Sequence, residues 1–357
     1  MKPEAIIVGD YVNAWSLERG VRLCGVKTRR IPLSTFVETL PHLAEGTALL
    51  FTEESSWALC ARERRELRFL PHDYNPVLID KFLFAEHLCD IGEQPVPYWA
   101  TYPPPKETLP YVVKPRCSWR GFSKNPRGFL CFTDADTLQS EKMLQIHGLK
   151  PDEIFVQRFL PDAQNISVAG FYDWRNPARQ FFIATHKILG DSGWLNTGAI
   201  IQTTHFPQEI GMRVLRILNS LNYHGPFEME FLYDARTNHY YVLELNPRFW
   251  MQHGLFLVGY ENILIRAYLD EAFCCPLPVS NNRMLDYKPL LWVDSCYPFI
   301  ALLRREIHPL RNYFDTIRAA RRAGYSVYFF PEWKRAFRFA LLRFGRRLLG
   351  VKARDRR

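Results

Sequence analysis

Residues 225–250, GPFEMEFLYDARTNHYYVLELNPRFW, decide how the rest of the chain is read. Two stretches of alternating character, 227–233 and 240–246, flank a polar segment rich in turn formers, 234–239. That pattern predicts a β-hairpin. On the first strand Phe227, Met229 and Phe231 share one face, leaving Glu228 and Glu230 on the other. On the second, Val242, Glu244 and Asn246 share a face opposite Leu243 and Leu245. If Glu230 pairs with Glu244, then Tyr233 pairs with Tyr241, and two carboxylates meet an amide oxygen on one side of the sheet. Like charges directly opposite each other repel. A hard divalent cation removes the conflict, and Mg²⁺ held by carboxylates and completed by substrate phosphates is its usual form. The same pattern also fits a solvent-facing sheet that is merely acidic.

At these residues the sequence resembles the metal-binding end of the ATP-grasp superfamily. Glu-Met-Glu-Phe, a short turn and then Glu-Leu-Asn-Pro-Arg carry the likeness. Biotin carboxylase, carbamoyl-phosphate synthetase, D-alanine–D-alanine ligase and the carboxylate–amine ligases belong to that group. The resemblance implies an α+β ATP-grasp fold preceded by a small Rossmann-like α/β lobe. It sets three regions: the small lobe over 1–75, the grasp domain over 76–275 with a hinge near 154–161, and a basic helical extension over 276–357.

Composition agrees with packed domains. At 357 residues, 47% hydrophobic and 15% aromatic, the chain can build more than one core. Its eight cysteines form no Cys-x-x-Cys pair, which predicts a reduced, cytoplasmic setting without a zinc knuckle or disulfide scaffold. No stretch is long enough to span a bilayer. The net charge of +9 is local: from residue 303 onward there are 16 Lys/Arg against 4 Asp/Glu, and before it 30 against 33. The charge therefore describes the tail and says little about the central site.

In order, residues 4–9 read as a buried strand, 13–20 as a helix and 21–26 as a second strand, a βαβ unit. No G-x-G-x-x-G fingerprint follows the first strand. Residues 48–52 give a further strand. Asp80-Lys81, a helix through Cys89, Gly92 and Pro95-Val96-Pro97 resemble the entry to the grasp domain, where Lys81 would reach a phosphate. Residues 111–115, YVVKP, place Lys114 in an otherwise apolar strand, and a lysine there needs an anionic partner. The following 116–128 occupy the place of the phosphate loop, with Ser118 and Gly121 as cradle residues, although the glycines are further apart than the family pattern. Residues 154–160, IFVQRFL, resemble the hinge strand, so Gln157 and Phe159 would meet the nucleotide and Asn165 the ribose, where relatives often carry glutamate at 157 and 165.

Residues 181–189 form another strand, and Lys187 matches the cation near the transferred phosphate. His186 is its neighbour, but adjacent strand residues face opposite ways, so only one lines the site. The loop over 193–198 is where such ligases touch the acceptor, and 207–222 is an amphipathic helix with a core stripe. The implied set is thus Glu230, Glu244 and Asn246 for Mg²⁺ (or Mn²⁺), Lys81 and Lys114 for ATP, and Lys187 and Arg248 for catalysis. The implied reaction phosphorylates a carboxylate with ATP and passes the acyl group to an amine. Gln252 and His253 stand where biotin carboxylase has a catalytic glutamate, and an amide is no base, which argues against a carboxylase. The rival reading is a degenerate nucleotide-binding protein acting as sensor, scaffold or membrane-surface adaptor. Residues 331–350 have apolar and basic faces at helical spacing, which fits an interfacial membrane helix or a helix packed on its own domain. No motif accompanies that charge to suggest nucleic acid.

Overall fold

The computed structural model describes residues 4–9, 12–105, 108–120, 123–124, 128–190, 198–205, 208–273, 285–303 and 307–330. The first lobe is β1 (Glu4–Val8), α1 (Val12–Leu23), β2 (Lys27–Ile31), α2 (Leu33–Thr39), β3 (Ala48–Phe51) and α3 (Glu54–Glu63). Its three strands are parallel in the order β2-β1-β3. The βαβ expectation holds, with the second strand displaced. Residues 21–23 complete α1, and β2 is the polar run KTRRI, with only Ile31 buried. An edge strand buries little of itself, so its sequence lacks the apolar run that marks β1 and β3.

A second lobe follows α4 (Lys81–Asp90): β4 (Tyr98–Trp99), β5 (Tyr111–Pro115), β6 (Trp119–Arg120), β7 (Ser123–Lys124), β8 (Phe129–Cys131), α5 (Asp134–Ile146) and β9 (Ile154–Arg158). Four of the strands form a sheet ordered β4-β9-β5-β8, while β6 and β7 make a separate ribbon. A capping box starts α5: Asp136 N donates to Thr133 Oγ1 at 3.2 Å and Thr133 N to Asp136 Oδ2 at 2.9 Å. This lobe encloses one compact core built on Tyr111, Val113, Cys131, Leu144, Ile154 and Val156.

The third part holds β10 (Gln164–Asp173), β11 (Phe181–Gly190), β12 (Gly198–Thr204), α6 (Gln208–Ser220), β13 (His224–Asp234), β14 (His239–Asn246), α7 (Gly254–Gly259), α8 (Ile263–Phe273), β15 (Leu290–Asp294), α9 (Tyr297–Leu303), α10 (Ile307–Arg322) and β16 (Ser326–Phe330). Its seven-stranded sheet runs β14-β13-β10-β11-β12-β15-β16, antiparallel except for the last pair. One face buries Phe227, Met229, Phe231 and Val242 against α6 and the first lobe, and the other packs partly on α1, α7 and α8. Each large side chain so removed from water contributes roughly 1.5–3 kcal/mol. The core stripe expected on α6 is present, with Ile210, Val214, Ile217 and Leu218 buried. The extension expected over 276–357 is not simply helical, because 290–294 enter the main sheet beside β12 and 326–330 beside 290–294. The basic stretch 331–350 lies outside the described residues, as do Gly121 and 193–197. Among the described residues no helix is long and apolar enough to cross a membrane.

Candidate functional site

β13 and β14 form the expected hairpin. Gly225 enters it at φ +149°, where a Cβ would come within 3.1 Å of Leu70. At the turn Asp234 Oδ1 accepts from Arg236 N at 3.0 Å, and Asn238 takes φ 51°. Glu230 pairs with Glu244 and Glu228 with Asn246, as the alternation requires. Tyr233, however, pairs with Tyr240 rather than Tyr241, because Leu243 is an extra residue between the Glu230–Glu244 and Phe231–Val242 pairs. This β-bulge turns Val242 to the apolar side, where it is fully buried, and leaves Glu244 and Asn246 on the polar side. Val242 is therefore a core residue and does not share the acidic face.

β10 and β11 continue that polar face. Ser167 lies opposite both Glu230 and Thr185, so Lys187, two residues beyond Thr185, comes to the same side. His186 lies opposite Ile166, which pairs with Phe231 on the apolar side. Of the two neighbours, Lys187 is the one the sheet directs to the carboxylates.

Electrostatics tie these groups into one cluster. Burial, with Glu230 beside it, pushes Glu228 up to about 8. Burial also raises Glu230, and Glu244 adds to this against the pull of Lys187. Burial acts on Glu244 in the same direction, but Lys114, Lys81, the hydrogen bond with Glu230 and Lys187 outweigh it and hold Glu244 below the ordinary carboxylate range. The opposed pair is thus split, with Glu230 held above and Glu244 below the ordinary carboxylate range. Lys114 is lowered by burial, with Glu244 as its main counter-charge.

The residues expected to meet a nucleotide arrive from other elements. Lys81, in the first turn of α4, donates from Nζ to Ser118 Oγ at 3.0 Å. Lys114 Nζ donates to Gln157 Oε1 at 2.9 Å, so the hinge amide is occupied by the lysine of the adjacent strand. Asn165 Nδ2 donates to Glu230 Oε2 at 2.7 Å and so serves the carboxylate pair. Phe159 stands just past β9, edge-on to Phe132, with its amide bonded to Pro110 O. Within the stretch expected to cover the phosphates, Trp119–Arg120 pair with Ser123–Lys124 as the short ribbon β6–β7. Arg248 links β14 to the start of α3: its Nη2 donates to Asn246 Oδ1 at 3.3 Å and lies 3.4 Å from Glu54 Oε1. Burial opposes its charge, but Glu54, Glu53, Glu228 and Glu244 hold it above its usual value.

Three contributors escaped the sequence reading. Glu228 has the parity of Glu230 but is not in the expected ligand set. Glu53 and Glu54 follow the end of β3, and a parallel sheet gathers ligands beyond the carboxyl ends of its strands. Gln252 and His253 are buried; His253 Nδ1 donates to Trp250 O at 2.5 Å, and burial brings it down to about 4. It makes a poor substitute for a glutamate base.

Among the described residues no set of three His, Cys, Asp or Glu side chains converges to hold a metal ion alone. The hairpin offers two carboxylates and an amide oxygen instead, all hard donors, and a cation between Glu230 and Glu244 would relieve the charge conflict. That donor set fits Mg²⁺ or Mn²⁺ completed by phosphate oxygens.

A family model described as carbamoyl-phosphate synthase L chain, ATP binding domain, matches residues 199–261. No curated protein is significantly similar to the chain in sequence. The biotin carboxylase domain of Hydrogenobacter thermophilus 2-oxoglutarate carboxylase, solved with MgADP, ADP and bicarbonate, superposes with a TM-score of 0.58 at 14% identity, over 78% of this chain and 71% of that one. Phosphoribosylamine–glycine ligase from Thermotoga maritima gives 0.57 at 16%, over 77% and 76%. L-Amino acid ligase from Bacillus licheniformis gives 0.52 at 14%, over 69% and 68%. The chain has the ATP-grasp fold.

Proposed function

We propose that this ATP-grasp chain is an ATP- and Mg²⁺-dependent ligase that activates a carboxylate as an acyl phosphate and joins it to an amine. One observation carries the reading: two opposed carboxylates, Glu230 and Glu244, lie on a sheet face among Lys81, Lys114, Lys187 and Arg248, which come from four separate segments. Phosphoryl transfer asks for this arrangement, since its catalysis is mostly positioning and charge neutralisation.

When bound, the metal would be held by Glu230, Glu244 and Asn246 and would neutralise phosphate charge. Lys81, Ser118 and Lys114 orient the phosphates, and Lys187 offsets charge on the transferred group. A substrate carboxylate oxygen attacks the γ-phosphorus as the bond to the β-phosphate oxygen breaks and ADP leaves. The amine then attacks the acyl carbon, the acyl–phosphate bond breaks, and the amine proton is released to solvent as phosphate departs. Arg248 is placed to steady the acyl oxygen in both steps with its planar donor fork.

Calorimetry of ATP binding with and without Mg²⁺, on wild type and Glu244→Gln, tests this. Metal-dependent binding that the substitution abolishes supports the site and justifies screening carboxylates and amines for ADP release. Absence of any nucleotide binding overturns it. The engaged side chains of Gln157 and Asn165 favour a second reading, a nucleotide-binding sensor. ATP binding without turnover in any carboxylate–amine pair would support that one instead.

A further inference from the structure

Lys81 and Lys114 serve one set of phosphates on this reading, yet they sit on different bodies. α4 packs Phe84 and Leu88 into the core shared by the first lobe and the seven-stranded sheet. β5, which carries Lys114, belongs to the four-stranded lobe and its separate core. Something must hold the first turn of α4 against the end of β5, because an ångström of misplacement between two phosphate donors costs heavily.

Arg116 occupies that junction. Its Nε lies 3.0 Å from both oxygens of Asp80, and its Nη2 lies 2.8 Å from Asp80 Oδ2. Asp80 is also the N-cap of α4, accepting from Phe82 N at 2.9 Å and Leu83 N at 3.2 Å. The backbone repeats the link, with Lys81 N donating to Arg116 O at 2.9 Å. On the far side Arg116 N donates to Glu153 O at 2.8 Å, and its Nη1 to Asp152 O at 3.2 Å, just ahead of β9. The guanidinium also lies over the Phe82 ring, 4.7 Å from its centroid, and Phe82 packs edge-on against Tyr98 and Phe155 of the four-stranded lobe.

We infer that the Arg116–Asp80 pair is a positioning device of the phosphate site. It pins the start of α4 to the end of β5, so that Lys81 projects from one body to Ser118 at a fixed distance from Lys114 on the other. Arg116 therefore acts through Lys81, although a sequence reading would send an arginine beside the phosphate loop straight to the phosphate. The inference rests on the nucleotide site proposed above.

A double-mutant cycle in ATP affinity, measured by calorimetry in Mg²⁺, separates positioning from general stability. Asp80→Asn keeps an N-cap oxygen but removes the ion pair, so it folds with a melting temperature close to wild type. It and Arg116→Gln are each expected to weaken ATP binding roughly tenfold. Arg116→Lys restores only part, because an ammonium cannot fork to both carboxylate oxygens. In a Lys81→Ala background, Asp80→Asn should cost nothing further. Full additivity in that background, or unchanged affinity in the single variants, overturns the positioning role while leaving the site intact. Wild type that binds no ATP overturns both.

Discussion

The two sheets that face the candidate site are built on opposite terms. The seven-stranded sheet is clamped on both faces, by α6 and the first lobe on one side and by α1, α7 and α8 on the other. It carries three buried carboxyl groups that would repel one another if all were ionised: Glu228, Glu230 and Glu244. The four-stranded lobe has one small core and carries a single central lysine, Lys114, whose counter-charges lie across the gap. A rigid platform can store electrostatic conflict because its packing outweighs the repulsion, whereas a lightly packed lobe is the part free to move against it. The division predicts that damage to the platform strikes metal binding and chemistry, and that damage to the lobe strikes metal-independent nucleotide contacts and local order.

The largest expected effect is on the platform. Glu244→Gln removes one of the two opposed carboxyl groups, the one held below the ordinary carboxylate range, with almost no change of shape. Metal charge stabilisation is worth several kcal/mol, so ADP formation should fall more than about a thousandfold. Steady-state assay in saturating Mg²⁺ checks it, and a variant with near-normal turnover would move the metal elsewhere. Arg248→Ala comes next. An oxyanion donor typically contributes about 10²-fold in rate, and the loss should appear in kcat with ATP affinity little altered. A loss in ATP affinity alone would make Arg248 a phosphate ligand and erase the distinction drawn here.

The lobe should respond in hydrogen exchange. Amides of β5 and β9 are expected to exchange about tenfold or more faster than those of β10 and β13, with Mg²⁺ and ATP slowing β5 and β9 selectively. Equal protection in both sheets without nucleotide would mean that the smaller core is no weaker, and the comparison would fail.

The same contrast explains what the sequence revealed. The Glu230–Glu244 pairing was legible because a hairpin closes over a few residues and its alternation states which side chains meet. The bulge at Leu243 was not, since Val242-Leu243-Glu244 alternates as well in a straight strand as in a bulged one, and burial of Val242 decides between them only after folding. β15 and β16 were hidden for another reason. β15 joins β12 from about 90 positions away and β16 then joins β15, and these partners are set by tertiary packing that no local period encodes. The Arg116–Asp80 pair is likewise non-local, although both residues lie within stretches that resemble family motifs.

The smallest expected effect concerns the third carboxylate, and it tests whether the platform stores conflict at all. Glu228 is raised to about 8 by burial and by Glu230, against an unfolded value near 4.5. The metal-free folded state therefore binds more protons than the unfolded state across that interval, and stability falls as pH rises through it. Glu228→Gln cannot ionise and keeps an oxygen for Asn246 Nδ2, which donates to Glu228 Oε2 at 3.2 Å. Without Mg²⁺ the variant should melt above wild type at pH 8, by about 2 °C for each kcal/mol recovered, and the gap should close toward pH 5. Mg²⁺ and ATP should narrow it at pH 8, because a cation on the same face removes the cause of the repulsion. A gap independent of pH would mean that Glu228 titrates like any exposed glutamate. The acidic face would then be an ordinary solvated surface, the bland alternative that its sequence first allowed.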